Sequence, residues 1–110
     1  MTRYHVELDC TVLDISEGAF AALFEPVADA LYDLDGLIDA DLAASTGERL
    51  FTFSMSVDAP DQVAALTAAV SATRTAVHVA GGSTPEWEKH LAMVRTLITD
   101  EIATQEFVTA

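Results

Sequence analysis

His5, Glu7 and Asp9 alternate near the start of the chain, and their types are those of metal or acid–base chemistry. An imidazole beside carboxylates suits Zn²⁺ or Mn²⁺. Residues two apart on a strand stand ~7 Å apart, so one ion would not easily take all three. A hydrated open sheet face accounts for the same pattern. Arg74 and His78 form a second group, four apart and so on one side of a helix, bordering its buried stripe. Capped by Trp87, they read as a ligand pocket for an anion or carboxylate. The plainer account is two cations offsetting a helix dipole, with the arginine stem covering core. Cys10 reads as a small buried hydrophobe rather than a reactive thiol. Ser, His and Asp are present without the spacing of a triad. Gly81-Gly82 lacks the lysine and flanking pattern of a phosphate loop. No catalytic residue and no cofactor is assigned, and catalysis is the less favoured reading.

The elements that must carry these residues follow from periodicity. Tyr4, Val6, Leu8, Cys10 and Val12 alternate with His5, Glu7, Asp9 and Thr11, which predicts a half-buried strand. Ser16 is an N-cap for a helix whose stripe is Phe20, Leu23, Phe24, Val27, Leu31 and Leu34. Pro26 lies nearly opposite that stripe, and Asp35-Gly36 supplies the stop. Leu37 to Ser45 is a second strand, with Ile38, Ala40, Leu42 and Ala44 on one face against Asp39 and Asp41. Thr46-Gly47 turns into a third strand, Leu50 to Asp58, with Phe51, Phe53, Met55 and Val57 inward and Thr52, Ser54 and Ser56 outward.

Asp58 is the expected cap of a second helix, with Pro60 in its first turn and Val63, Leu66, Val70 and Val77 on its inner stripe. The cluster Thr75 to Ala80 reads either as the end of that helix or as a strand. A shift of 45 residues lays Tyr4 on Arg49 and Gly36 on Gly81. Two similar strand–helix units favour the long helix and a last strand around His90 to Thr99. The competing pattern Trp87, Leu91, Val94, Ile98, Ile102 would make an added C-terminal helix. The expected fold is one α+β domain over residues 1–110. It is a ferredoxin-like split βαβ plait (βαββαβ), a four-stranded antiparallel sheet with two helices on one face. Strand three then neighbours strand one, which puts Thr52, Ser54 and Ser56 beside the His5 trio and Asp39 and Asp41 at the edge.

The formal net charge is −13, and eleven carboxylates but no lysine or arginine lie between Arg3 and Arg49. Such a surface repels phosphate backbones and anionic membranes, which argues against nucleic-acid and membrane partners. It permits solubility, divalent cations or a basic protein partner. The apolar fraction of 51% is too high for a disordered chain. The apolar runs look too short to span a bilayer. The first residues lack the apolar core of a signal peptide, and one cysteine allows no intrachain disulfide, so the expected location is cytoplasmic.

The segment Arg74-Thr75-Ala76-Val77-His78-Val79-Ala80-Gly81-Gly82-Ser83-Thr84-Pro85-Glu86-Trp87 resembles one in small uncharacterised actinobacterial or actinophage proteins of ferredoxin-like architecture. A composition rich in Ala and Asp, with Lys89 the sole lysine, suits that source. The resemblance covers fourteen residues and implies no activity. Those proteins commonly place a glycine between the proline and the tryptophan, where this chain has Glu86.

The most informative surface is the second helix. Opposite its expected core stripe lie Ala65, Ala68, Ala69, Ala72, Ala76 and Val79. A helix apolar nearly all round is usually covered. The expected function is therefore a non-enzymatic association module, a homodimer through that alanine face or the C-terminal segment. The alternative is a small-ligand or divalent-metal-binding domain, or a dimeric α/β-barrel-type enzyme, using the acidic sheet face or the pocket near Trp87.

Overall fold

Period-two alternation makes the first element. In the computed structural model, which describes residues 1–81 and 91–100, strand β1 spans Thr2–Val12. Its Tyr4, Val6, Leu8, Cys10 and Val12 are buried while the residues between them are not. Helix α1 (Glu17–Tyr32) starts at Ser16, whose Oγ accepts from Ala19 N at 3.2 Å. It continues past Pro26, which is exposed, and ends before the predicted stop. Gly36 then turns the chain at a φ of 85°, in the left-handed region glycine tolerates.

Strands β2 (Ile38–Ser45) and β3 (Leu50–Ala59) form the expected hairpin. Arg49 anchors its turn. The guanidinium donates to Gly47 O at 2.9 Å and to Ile15 O at 3.3 Å, and Val12 N donates to Arg49 O at 2.9 Å. The hairpin is thereby tied to the loop before α1. β2 departs from the expected alternation. Ile38 pairs with Ser56 and Asp41 with Ser54, so one residue is inserted between them, where Asp39 has a φ of 52°. Ile38 thus leaves the core-facing row, while Leu42 and Ala44 stay opposite Phe53 and Phe51.

Helix α2 runs Gln62–Gly81, and β4 spans Leu91–Asp100. Thr75 to Ala80 is therefore helix, and the last strand falls where the long-helix reading placed it. The helical alternative over Trp87 to Ile102 fails for residues 91–100; an added C-terminal helix lies outside the described residues. The cap is Asp61, not Asp58, with Ala64 N donating to Asp61 Oδ1 at 2.8 Å. β3 continues to Ala59, and Asp58 stays in the sheet opposite Arg3, whose Nε donates to its carboxylate at 2.9 Å. That bond holds the Asp58 carboxyl below its ordinary value, so the pair contributes at neutral pH and its contribution is lost as pH falls through the lowered pKa. The pair is exposed, and salt screens it.

The sheet order is β2-β3-β1-β4, with every neighbouring pair antiparallel. β1 and β2 are consequently parallel with β3 between them, and α1 connects them. β3 and β4 are parallel with β1 between them, joined by α2. This α+β arrangement of four antiparallel strands and two helices packed together on one face is consistent with a ferredoxin-like fold.

Large side chains fill the layer between sheet and helices. Phe20 stacks on Phe51 at a centroid distance of 4.5 Å, and Phe51 meets Phe53 edge-on at 6.0 Å. Leu8, Leu31 and Met55 complete it. α2 answers with small residues, burying Ala65, Ala69, Thr73, Ala76 and Val77. This corrects the expected orientation in part. Val77 of the expected core stripe is buried and Leu66 and Val70 are half-buried against the core, but Val63 is 75% exposed, and Ala65, Ala69 and Ala76 of the supposed outer face are buried as well, with Ala72 half-buried. Only Ala68 and Val79 of that set are exposed. Most of the side chains that α2 buries are small, which suits a layer the aromatic rings already occupy. α2 also has the length and composition to cross a membrane, with a mean hydropathy of 1.3, which the reading of short apolar runs missed. Here that apolar character is used in part against the sheet.

One buried side-chain oxygen among the described residues lacks a hydrogen-bond partner, Thr73 Oγ1. An unsatisfied buried hydroxyl costs about 1–3 kcal/mol. Thr73→Val keeps the shape and removes that cost, so it is expected to stabilise the fold by about 1 kcal/mol in urea unfolding.

Candidate functional site

The side of the sheet away from the helices carries the first group of candidates. Odd-numbered residues of β1 point there, and the register places His5 opposite Ser56, Glu7 opposite Ser54 and Asp9 opposite Thr52. The expected neighbourhood of hydroxyls is therefore present. Across β4 the same three residues face Thr99, Leu97 and Arg95. The β4 ladder shifts by one residue between Asp9 and Cys10, which leaves Val94 as the extra residue.

Arg95 decides the electrostatics of this face. Its Nη2 lies 3.5 Å from Glu7 Oε2 and its Nε 3.6 Å from Asp9 Oδ2. Thr52 Oγ1 donates to the other Asp9 oxygen at 2.8 Å. His5 Nε2 stands 3.6 Å from Glu7 Oε1. Asp9 is the most enclosed of these side chains, at 16% exposure, and has both a cation and a hydroxyl beside it. The ionic contacts are longer than good hydrogen bonds, so they act as charge neutralisation more than as directed bonds. An arginine thus occupies the place a divalent ion was expected to take. Among the described residues no three His, Cys, Asp or Glu side chains are grouped to hold a metal. The metal assignment of His5, Glu7 and Asp9 is corrected on that ground: strand spacing spreads them, and Arg95 neutralises two of them. Asp41 sits on the edge strand, where Tyr32 Oη donates to it at 3.3 Å.

Arg95 is the residue that sequence reasoning missed. The last strand was expected over His90 to Thr99 with no neighbour assigned to it, and Arg95 lies in its middle. The register that brings it over Asp9 depends on the bulge at Val94, which alternation does not reveal.

The second group divides. Arg74 and His78 are both exposed on α2, Arg74 at the border of the buried stripe, beside Val70 and Val77, and His78 further out. Trp87 lies outside the described residues. Arg74 lines an open groove of about 450 Å³ with Leu66, Thr67, Val70, Ser71 and Thr75, and His78 is not among the lining residues. The groove offers few free polar groups. Thr67 Oγ1 donates to Val63 O and Thr75 Oγ1 to Ser71 O, each at 2.8 Å. With both threonine hydroxyls bonded back to the helix, this surface behaves as more apolar than its composition suggests.

Cys10 is fully buried, and burial first, then the charge of Asp9, raises its thiol to about 11. The thiol is protonated at neutral pH and unreactive, as its place on the apolar side of β1 predicts.

Two measurements check this account. Arg95→Ala is expected to destabilise the fold by about 0.5–1 kcal/mol, because the cation is half-exposed and its two carboxylates repel once it is gone; adding Asp9→Asn recovers part of the loss. Cys10 is expected to resist alkylation at neutral pH until denaturant unfolds the chain, and rapid native labelling would refute the buried assignment. A scan against protein-family models finds no match to this chain, and a search of curated proteins finds none either.

Proposed function

We propose that this chain is a ferredoxin-like split βαβ plait that works as an association module, pairing with a second copy through the exposed side of α2. The plait assignment is supported by two crossovers that each skip one strand, in the order β2-β3-β1-β4. The association reading rests on the surface of α2. Thirteen carboxylates lie in residues 1–61 and five after residue 85, so the stretch from Gln62 to Pro85 has none. The outward residues of α2 mix apolar Val63, Ala68 and Val79, of which Val63 is 75% and Val79 60% exposed, with the short hydroxyls Thr67, Ser71 and Thr75 and with Arg74 and His78. A carboxylate-free helix face on a chain of charge −13 is the part of the surface that repels a second copy least. The proposed contact keeps Ala68 and Val79 of the alanine set read from sequence and adds Val63, Thr67, Ser71, Arg74, Thr75 and His78.

This reading favours binding over catalysis because the most enclosed carboxylate on the sheet, Asp9, is already neutralised by Arg95 and bonded by Thr52. A cytoplasmic location goes with it, since one buried cysteine offers no intrachain disulfide. The small-ligand alternative keeps one observation, the groove beside Arg74.

Light scattering on the purified chain at high concentration, in NaCl at ~0.15 M, is expected to give twice the chain mass. The Ala68→Glu, Thr75→Glu double variant is expected to return to the mass of one chain with its melting transition retained. A wild-type chain that stays monomeric at high concentration would remove the proposal.

A further inference from the structure

We infer that self-association through α2 is gated by ionic strength: net charge holds the copies apart in dilute salt, and they pair symmetrically once that charge is screened. The inference rests on the association reading above and deepens it. A symmetric pair uses the same patch on both sides, so a patch dense in charge of one sign repels itself. The exposed surface of α1 cannot serve, because Glu17, Glu25, Asp29 and Asp33 are all exposed along it. The exposed side of α2 carries only Arg74 and His78 as basic side chains and no carboxylate. A strongly basic foreign partner would choose the α1 surface instead, which leaves a second copy as the fitting occupant of α2.

Contact area makes such a pair sensitive to charge. A helix of 20 residues is ~30 Å long and offers a strip ~10 Å wide, so each copy would bury roughly 300 Å². Stable interfaces bury about 800 Å² per partner. The attraction is therefore modest, while each chain carries −13. At ~0.01 M salt the screening length is ~30 Å, twice the 14.7 Å radius of gyration, and the whole charge of one copy acts on the other. At ~0.15 M it is ~8 Å, and only charges near the contact still count. The contact has no carboxylate, so screening removes most of the repulsion without weakening any ion pair.

Sedimentation velocity on the full chain over a concentration series, in NaCl at ~0.01 M and ~0.15 M, tests this. Wild-type Kd is expected to fall by about tenfold or more with added salt. The triple variant Glu25→Gln, Asp29→Asn, Asp33→Asn removes charge away from the contact. It is expected to pair more tightly than wild type at low salt and to respond less to salt. Ala68→Glu is expected to weaken pairing in both buffers. A Kd that stays constant or rises with salt, while Ala68→Glu still breaks the pair, overturns the gating and leaves the α2 contact standing. An unchanged salt response in the triple variant also overturns it, since salting-out would then be the cause. Harmless Ala68→Glu, or a monomer in both buffers, overturns the contact itself.

Discussion

The structure depends on how tightly one layer of large side chains is filled. Phe20, Phe51, Phe53, Leu8, Leu31 and Met55 occupy the space between sheet and helices. A filled interior tolerates no second row of bulky groups, so α2 must come in with alanines and Thr73. That choice sets the rotation of α2 about its axis. It turns Val63, Val79 and the back-bonded Thr67 and Thr75 outward beside Arg74 and His78, and leaves the exposed side of the helix without a carboxylate. The surface on which the proposed association rests is therefore a by-product of core packing.

The opposite side of the sheet follows a different constraint. Neighbouring carboxylates on one strand repel each other unless a cation stands between their oxygens. Glu7 and Asp9 have Arg95 in that position. The arrangement neutralises the most enclosed acid of the face and leaves the remaining carboxylates near the edges, as with Asp41, or paired, as with Asp58 and Arg3. Charge on this molecule is thus segregated: acidic residues on β1, α1 and the hairpin, none along α2.

Much of the fold was legible because it rests on local periodicity. The alternation of β1 and β3, the Ser16 cap, the stripe of α1 and the long α2 all depend on residues close together in the chain. The features that were not legible come from pairing between distant segments. The inserted residue in β2 at Asp39, the bulge at Val94 and the continuation of β3 through Asp58 are fixed by partners across the sheet. The 45-residue offset aligns the helix starts, Glu17 on Gln62, but neither the strand starts, Thr2 and Leu50, nor the helix ends, Tyr32 and Gly81.

The candidate sites divide along the same line. His5, Glu7 and Asp9 share a face because a strand alternates, and Cys10 is inert because it falls on the other side; the amino-acid order alone determines both. Whether that trio meets a metal or an arginine depends on the register of β4 against β1, two strands at opposite ends of the described chain, and that register shifts by one at Val94. Likewise, composition determines that α2 is apolar nearly all round, but two of its stripes are apolar enough to face inward. Only the packing against the aromatic layer selects a stripe between the two, burying Ala65, Ala69 and Ala76 together with Val77, because close packing discriminates by size where hydrophobicity does not.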